Sequence, residues 1–197
     1  MNRFFVQLEY DGSRYHGFQK QPKTSKTIQY HLDRALTKVA NHKISTICCG
    51  RTDAGVHAFN QFVHFDTNST RKIDSWVKGT NANLPDDIVV KNFFKVDTNY
   101  HARFDATSRE YLYVIKNANT PPAIGFNNYL WIKKSLNIEK MNKAAKYLIG
   151  EKDFSAFRAS GCQSKSPIRE ITKAKIVRKG EYCLLYTSPS PRDGRIS

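Results

Sequence analysis

The chain has 197 residues, and its 32 Lys and Arg residues against 17 Asp and Glu residues give a formal net charge of +15 at pH 7. This length and charge favour one or two domains that bind a polyanion, with nucleic acid as the default partner. No run of about 18 apolar residues occurs, and a strand pattern begins directly after the first residues. We therefore expect neither a membrane-spanning helix nor a secretory signal.

The four cysteines are spaced unlike the ligands of a structural zinc site. Cys48 and Cys49 are adjacent and would point to opposite faces of a strand, and Cys162 and Cys183 lack a C-x-x-C partner. We therefore expect free thiols, no bound metal and a reducing, cytoplasmic location. The sequence also lacks the glycine-rich phosphate-binding motifs of nucleotide cofactors, so no cofactor is expected.

The first half of the chain predicts four strands and two helices in the order β-α-β-β-α-β. Residues 3–10 alternate with period two, as a strand with one buried face does. Thr27 is placed to cap a helix with apolar residues at helical spacing. The other predicted elements are strands at 43–49, 61–65 and 88–96 and a short helix around 73–77. This order indicates a ferredoxin-like or RRM-like α+β domain, an antiparallel sheet with helices on one face.

A second β/α unit of related layout is predicted from residue 99 onward. A strand at 109–116 is followed by a helix that Asn137 caps and Gly150 ends. Two further alternating runs near the end of the chain, at 171–178 and 181–187, indicate a β-hairpin. We therefore expect an N-terminal domain over residues 1–98, an incomplete second domain over 99–186 and a tail over 187–197.

The most informative segment is GRTDAGVHA at residues 50–58, which connects two predicted strands. Its glycines allow a sharp turn and a close approach to a ligand. Arg51 supplies an opposite charge and hydrogen-bond donors that would keep Asp53 ionised. Taken alone, the segment also fits an Asx-turn with an exposed salt bridge, so both interpretations stay open at this point.

Several further segments resemble those of one known family and occur in the same order. They are LEYDGSRYHGFQ (8–19), TIQ (27–29), NLP (83–85), HARF (101–104), REYLY (109–113), DFSAFR (153–158), CQ (162–163) and PIR (167–169). Together with the GRTDAGVHA segment, they resemble the tRNA pseudouridine synthases of the A type over roughly residues 3–186. Independent motifs in one order are far more specific than any single motif.

The resemblance implies an enzyme that isomerises uridine to pseudouridine at positions 38–40 in the anticodon stem-loop of tRNA, as a homodimer and without metal or cofactor. It implies that Asp53 is the reacting carboxylate, either as nucleophile or as general base. Arg51 would orient Asp53 and occupy the space of the flipped base. Tyr111 matches the family tyrosine that contacts the target base, although a strand tyrosine is otherwise typical of a core, and Tyr113 is the alternative position.

Basic residues that accompany the matched segments are candidate contacts for tRNA phosphates, which position an RNA without reading its sequence. A solvated charged surface would show the same pattern. The candidates are Arg14, Lys20, Lys23, Lys26, Arg103, Arg109, Arg158, Lys165 and Arg169.

The end of the sequence departs from the family pattern. From about Leu184 the family continues with an apolar strand and a basic helix, whereas here a Ser- and Pro-rich stretch follows. Such a stretch has little to bury and cannot form a full strand ladder, so we expect residues 186–197 to be disordered or poorly packed. The alternatives to an active synthase are a truncated, catalytically impaired one and a non-catalytic RRM-like RNA-binding protein. A carboxylate-dependent hydrolase is disfavoured because the loop holds no second carboxylate.

Overall fold

A computed structural model of the chain describes residues 1–158 and 166–188. The chain divides into two compact units, Met1–Ala106 and Thr107–Ser197. The division expected from the sequence lies between residues 98 and 99, whereas in the structure residues 99–106 group with the first unit.

The first unit is an antiparallel sheet with two helices packed together against it. Its elements are β1 (Asn2–Tyr10), α1 (Ile28–Ala40), β2 (Ile47–Cys48), β3 (Ala58–Thr67), α2 (Ile73–Asn81) and β4 (Ile88–Val96). The strand order is β2-β3-β1-β4, with β1 in the middle, paired to β3 on one side and β4 on the other. This order confirms the ferredoxin-like arrangement expected from the β-α-β-β-α-β pattern.

The core of the first unit lies between the sheet and its helices. The inward residues of β1 are Phe4, Val6, Leu8 and Tyr10, and all four are buried, as the period-two alternation predicts. The indole ring of Trp76 in α2 lies 5.5–5.7 Å from the rings of Phe4, Phe65 and Phe93. These aromatic contacts join the second helix to three strands at once.

Helix α1 begins where its sequence predicts and ends in a left-handed residue. The Oγ1 atom of Thr27 accepts a hydrogen bond from the backbone N–H of Tyr30 at 3.3 Å, which satisfies one of the free donors of the first turn. The helix ends at Asn41, whose φ of 61° is the left-handed conformation of a helix C-terminus.

Strand β2 is shorter than the predicted strand at 43–49, because α1 takes up the hydrogen bonds of the preceding residues. Thr37 accepts from the backbone N–H of Ile44, and Asp33 accepts from the backbone N–H of Thr46. The side chain of Gln29 donates to the carbonyl oxygen of Thr46 at 2.7 Å. Residues 44–46 are therefore tied to a helix rather than to a neighbouring strand.

The second unit contains a mixed sheet, one α-helix and a small two-stranded sheet among its described residues. Its elements are β5 (Tyr111–Asn117), β6 (Leu130–Ile132), α3 (Ile138–Ala145), β7 (Gly150–Asp153), β8 (Ile168–Ile171), β9 (Lys173–Lys179) and β10 (Tyr182–Ser188). The larger sheet has the order β6-β5-β10-β9, and β7 pairs with β8. All pairs are antiparallel except β5 with β6. The α+β class and the mostly antiparallel sheets agree with the expected fold.

Three features of the second unit correct the sequence expectations. Helix α3 is capped by Asn137 as expected but ends at Ala145, and Gly150, with a φ of 97°, opens β7 instead of ending the helix. The short strands β6, β7 and β8 were not foreseen at these bounds. Residues 186–188, expected to be poorly packed, belong to β10, which pairs with β5 and β9; residues 189–197 lie outside the described part.

Candidate active site

The loop 50–57 joins β2 to β3 and exposes two of the predicted site residues. Arg51 and Asp53 are exposed, whereas Thr52 between them is half-buried. The hydroxyl groups of Thr52 and the buried Tyr10 are hydrogen-bonded at 2.7 Å. Because Thr52 is anchored inward, the residues on either side of it are presented outward on the same short stretch of backbone.

The backbone of this loop packs directly against the turn at residues 11–18. A Cβ atom built on Gly12 would lie 2.0 Å from the carbonyl oxygen of Val56, and one on Gly17 would lie 2.6 Å from that of Thr52. Gly17 also has a φ of 90°, which side chains rarely tolerate. Both glycines are therefore required where they stand, since any side chain would push the two backbones apart.

Hydrogen bonds hold the loop to the turn and to the sheet. The backbone N–H of Phe18 donates to the carbonyl oxygen of Thr52 at 3.0 Å, and that of Gly55 donates to Tyr15 at 3.2 Å. The side chain of Gln61 in β3 donates to the carbonyl oxygen of Gly50 at 2.7 Å. The loop is thus fixed at its beginning, middle and end.

His57 adds a side-chain link that the sequence analysis missed. Its Nδ1 atom accepts a hydrogen bond from the backbone N–H of Gly12 at 3.3 Å and lies 3.1 Å from a carboxylate oxygen of Asp11. Hydrogen bonds from Ser13, together with the nearby His57, hold the pKa of Asp11 below its usual range. A neutral ring accepts from Gly12 and a protonated ring donates to Asp11, so His57 joins the loop to the turn in either state.

The turn at residues 11–18 is itself anchored to the start of β4. The guanidinium of Arg14 donates to one carboxylate oxygen of Asp87 at 2.5 and 2.9 Å, and the hydroxyl of Tyr15 donates to the other at 2.5 Å. Burial, then the hydrogen bond to Asp87, raises the pKa of Tyr15. Arg14 remains an exposed cation, so its ion pair and a phosphate contact are compatible.

Arg51 is a second exposed cation and lies near the beginning of the loop. Burial raises the pKa of the Cys48 thiol to about 11, and the positive charges of Arg51 and Arg103 act against that rise. Arg51 of the GRTDAGVHA segment and Arg103 of the HARF segment therefore both contribute positive charge around this thiol.

Comparison with known proteins identifies the family. A sequence model of a protein family, described as tRNA pseudouridine synthase, matches residues 7–105 and 144–188. A tRNA pseudouridine synthase A of Francisella philomiragia is 44% identical over 182 residues, which cover 92% of this chain and 70% of that protein. One of Shewanella amazonensis is 46% identical over 93% of this chain and 70% of its own length, and one of Alcanivorax borkumensis is 42% identical over 94% and 69%. The chain belongs to the tRNA pseudouridine synthase family.

The family match covers the loop and the turn that supports it, together with Arg14, Lys20 and Arg103. It does not include Arg109 or Tyr111, which lie between its two parts, although the alignments with the three relatives cover 92–94% of this chain. The family resemblance found in the sequence is confirmed.

In the second unit, Tyr111 and Tyr113 lie on β5 opposite Thr187 and Leu185 of β10. Tyr111 is half-buried and Tyr113 is 53% exposed. The two rings lie on the same face of the strand, so exposure distinguishes them more than direction does.

The other basic candidates differ in exposure. Lys20 is exposed, with its Nζ atom 5.8 Å above the ring centre of Tyr30, and Arg158 is exposed. Arg109 is half-buried, and Arg169 is buried with a donor to the carbonyl oxygen of Ile168. Lys23 is exposed and Lys26 is exposed. Cys162, Gln163 and Lys165 lie outside the described residues.

No helix in the described ranges is both long and apolar enough to cross a bilayer. Over the same ranges, no three His, Cys, Asp or Glu side chains converge as metal ligands would. Cys48, Cys49 and Cys183 are free thiols.

Proposed function

We propose that this chain isomerises uridine to pseudouridine in tRNA, with Asp53 as the reacting carboxylate and Arg51 as its partner. As a member of the tRNA pseudouridine synthase family, it is an isomerase that acts on uridine in tRNA. The observation that carries the residue assignment is the loop 50–57, where half-buried Thr52 is anchored inward while Arg51 and Asp53 are exposed on either side. A nucleotide that has left the RNA helix can reach a carboxylate that is presented in this way.

The reaction places simple demands on the site. The C1′–N1 glycosidic bond breaks, the uracil turns in place, and C1′ joins C5; N1 gains a proton and C5 loses one, so nothing is consumed. An ionised carboxylate beside the sugar and base serves either as nucleophile or as general base. Arg51 supplies an opposite charge and hydrogen-bond donors for Asp53 and occupies the space that the flipped base leaves.

The finer assignments are also part of the proposal. Tyr111 contacts the target base, and the preferred uridines are at positions 38–40 of the anticodon stem-loop. Exposed cations such as Arg14, Lys20 and Arg158 suit tRNA phosphates, as do Arg103 and Arg109 at half-buried positions. Arg169 suits this role least because it is buried. The active form is a homodimer, and the free thiols support a cytoplasmic location.

A non-catalytic RNA-binding function is the second candidate. The sheet order β2-β3-β1-β4 is that of RRM-like domains, and the formal charge of +15 suits RNA. This candidate predicts tRNA binding without isomerisation, as does an impaired synthase.

Tritium release from tRNA transcripts labelled at uridine C5 tests the proposal. We expect the parent chain to release tritium and Asp53→Asn to bind tRNA with unchanged affinity but release none, because the variant keeps the shape and loses the charge. Asp86→Asn is the matched control, since Asp86 is an exposed loop carboxylate of the same unit outside the site. Release by Asp53→Asn at the parental rate would disprove the assignment, and binding without release by the parent would favour the second candidate.

A further inference from the structure

Four aromatic rings make a continuous series of ring contacts in the first unit, here called the stack, from the sheet to the surface. The ring of Phe5 on β1 stacks on His64 of β3 at 5.9 Å between centres. His64 contacts His101 edge to face, at 4.5 Å with 67° between the ring planes, and His101 stacks on Phe104 at 4.1 Å with 23° between the planes. His64 is 2% exposed and Phe104 is 60% exposed. The stack therefore ends in a ring whose surface faces water.

The segment that carries Phe104 is held by the two histidines. The Nδ1 atom of His64 accepts from the backbone N–H of Ala102 at 3.1 Å. The Nδ1 atom of His101 accepts from the backbone N–H groups of Arg103 and Phe104 at 3.2 and 3.3 Å. A carboxylate oxygen of Asp105 accepts from the backbone N–H of His101 at 2.7 Å. Phe104 is therefore exposed at a fixed position, unlike the side chain of a solvated loop.

The residues just before this segment are fixed as well. Arg3 donates to the carbonyl oxygens of Thr98 and Tyr100 at 2.5 and 2.9 Å. The same guanidinium pairs with both carboxylate oxygens of Asp66 at 2.7 Å. The stretch from residue 98 to 105 is thus attached to β1 and β3 at several points.

The imidazole of His64 keeps its accepting role at neutral pH. Burial first, then the neighbouring His101 and Arg3, lowers the pKa of His64 to about 4 against an opposing effect of Asp66. A neutral imidazole offers an acceptor nitrogen, and a protonated one offers none. The contact between His64 and Ala102 is therefore intact in the range where a cytoplasmic enzyme works.

We propose that Phe104, with Arg103 beside it, forms a stacking subsite for an unpaired nucleobase of the tRNA other than the reacting uridine. Exposed aromatic rings supported by a β-sheet stack unpaired bases in RNA-binding proteins, and a neighbouring cation complements the phosphate of the stacked nucleotide. Stacking tolerates any base, so the subsite distinguishes unpaired from paired RNA rather than one sequence from another.

The position of this subsite fits an RNA that also reaches the loop 50–57. His64 on β3 pairs with Ile47 of β2, the strand that leads into that loop. The positive charges of Arg103 and Arg51 both lower the pKa of the thiol of Cys48, the last residue of β2. The subsite rests on the proposed function for the identity of its RNA, and it adds a second point of contact to the one at Asp53.

Fluorescence anisotropy with the full 197-residue chain tests the subsite. Two labelled probes are compared, an unmodified anticodon stem-loop and a fully paired RNA duplex of equal nucleotide number. We expect Phe104→Ala to weaken stem-loop binding about 5- to 150-fold, since one stacked base contributes about 1–3 kcal/mol, and to leave duplex binding unchanged. Phe104→Leu should lose as much as Phe104→Ala, whereas Phe104→Trp should bind at least as tightly as the parent.

Phe59→Ala is the matched control, because Phe59 is 70% exposed on β3 and takes no part in the stack. It should bind both probes like the parent. Parental stem-loop binding by Phe104→Ala, an equal loss for both probes, or rescue by Phe104→Leu would overturn the subsite and leave the role of Asp53 standing. A parent chain that binds neither probe would overturn the proposed function and the subsite together.

Discussion

The two units of this chain differ in how completely they bury apolar side chains. Of the twelve largest fully buried side chains among the described residues, only Ile171 belongs to the second unit. The main apolar cluster of that unit has Ile115, Ala145, Ile176 and Cys183 as its buried members in the described ranges. Since burial of apolar surface is the main favourable contribution to folding, the first unit should be the more stable one.

The difference follows from how each sheet is covered. In the first unit, α1 and α2 pack on the sheet and contact each other. In the described part of the second unit, the eight-residue α3 packs mainly on β9. Apolar residues of that unit that stay exposed include Leu112, Tyr113, Ile124, Phe126, Leu130 and Trp131. The loop with Arg51 and Asp53 therefore belongs to the better-packed half.

The two tryptophans allow the largest test of this comparison, because each unit has one. We expect Trp76→Ala to destabilise the first unit by about 3–5 kcal/mol, as loss of a buried aromatic ring does. Trp131→Ala should cost about 1 kcal/mol, since the indole is 38% exposed and makes one hydrogen bond, to the carbonyl oxygen of Ala118. Hydrogen exchange in a urea series, read separately for each unit, measures both. Equal costs would refute the difference in packing.

Trp76→Phe sharpens the same test. The Nε1 atom of Trp76 is buried without a hydrogen-bond partner among the described residues, so replacing the indole by a phenyl ring also removes an unsatisfied donor. We expect this variant to lose clearly less stability than Trp76→Ala.

A pair of glycines tests whether the first unit also sets the geometry of the loop. Gly12→Ala should destabilise the first unit by about 1–3 kcal/mol and abolish tritium release, because its Cβ would press on the carbonyl of Val56. In the second unit, the Cβ atom of Gly180→Ala would have no neighbouring atom within 4 Å, so the only strain comes from the left-handed φ of 58°. We expect this variant to lose about 1 kcal/mol of stability. Thermal unfolding and tritium release measure the pair. A fully active Gly12→Ala would show that the loop does not depend on the turn.

The two tyrosines of β5 test what the second unit contributes to substrate capture. We expect Tyr111→Ala to lower kcat/KM about 5- to 150-fold through loss of one stacking contact, and Tyr113→Ala to stay within about twofold of the parent. Tyr111→Phe keeps the ring and separates stacking from any role of the hydroxyl. Steady-state tritium release gives the ranking, and the reverse order would move the base contact to Tyr113.

The smallest expected effect is a pH dependence confined to the first unit, which holds all six histidines. His64 has its pKa lowered to about 4, so between that value and about 6.5 the unfolded chain binds a proton that the folded chain does not. The stability from neutral His64 is complete above pH 6.5 and falls as the pH drops towards 4. We expect a loss of about 1–2 kcal/mol between pH 6.5 and 5.

Chemical denaturation followed in each unit checks this pH dependence. His64→Gln, which keeps an acceptor but does not titrate, should show a flatter profile for the first unit. The second unit contains no histidine and should show little change over this range. A slope that survives in His64→Gln would assign the effect to another group. His31 would be the first to test, because burial lowers its pKa as well.

Local patterns explain which parts of the fold could be predicted. The strand at 88–96 has the bounds expected from its sequence, and α1 follows directly after its Thr27 cap, since period and caps are encoded within a few residues. The shortness of β2 could not be predicted, because it depends on side chains of α1 that meet residues 44–46 only in the folded unit.

The candidate site likewise has a part that the sequence predicts and a part that it does not. Arg51 and Asp53 could be singled out because the motif holds them two residues apart. The contacts of Gly12 with Val56 and of Gly17 with Thr52, and those of His64 with Phe5 and His101, join residues that are far apart in the sequence. No periodicity reports such contacts. The glycines in both matched segments were the one available signal of a close backbone approach.

The backbone contact between the turn and the loop has a consequence for protein engineering. The hydrogen bonds from Phe18 to Thr52 and from Gly55 to Tyr15 mean that the loop takes backbone partners from outside the nine-residue motif. If GRTDAGVHA alone were moved into another connection between strands, it would lose those partners. It would also lose Gly12 and Gly17, whose lack of a side chain leaves room for the loop. A working graft would have to carry residues 11–18 as well, so the exchangeable part of this enzyme is a pair of segments rather than a motif.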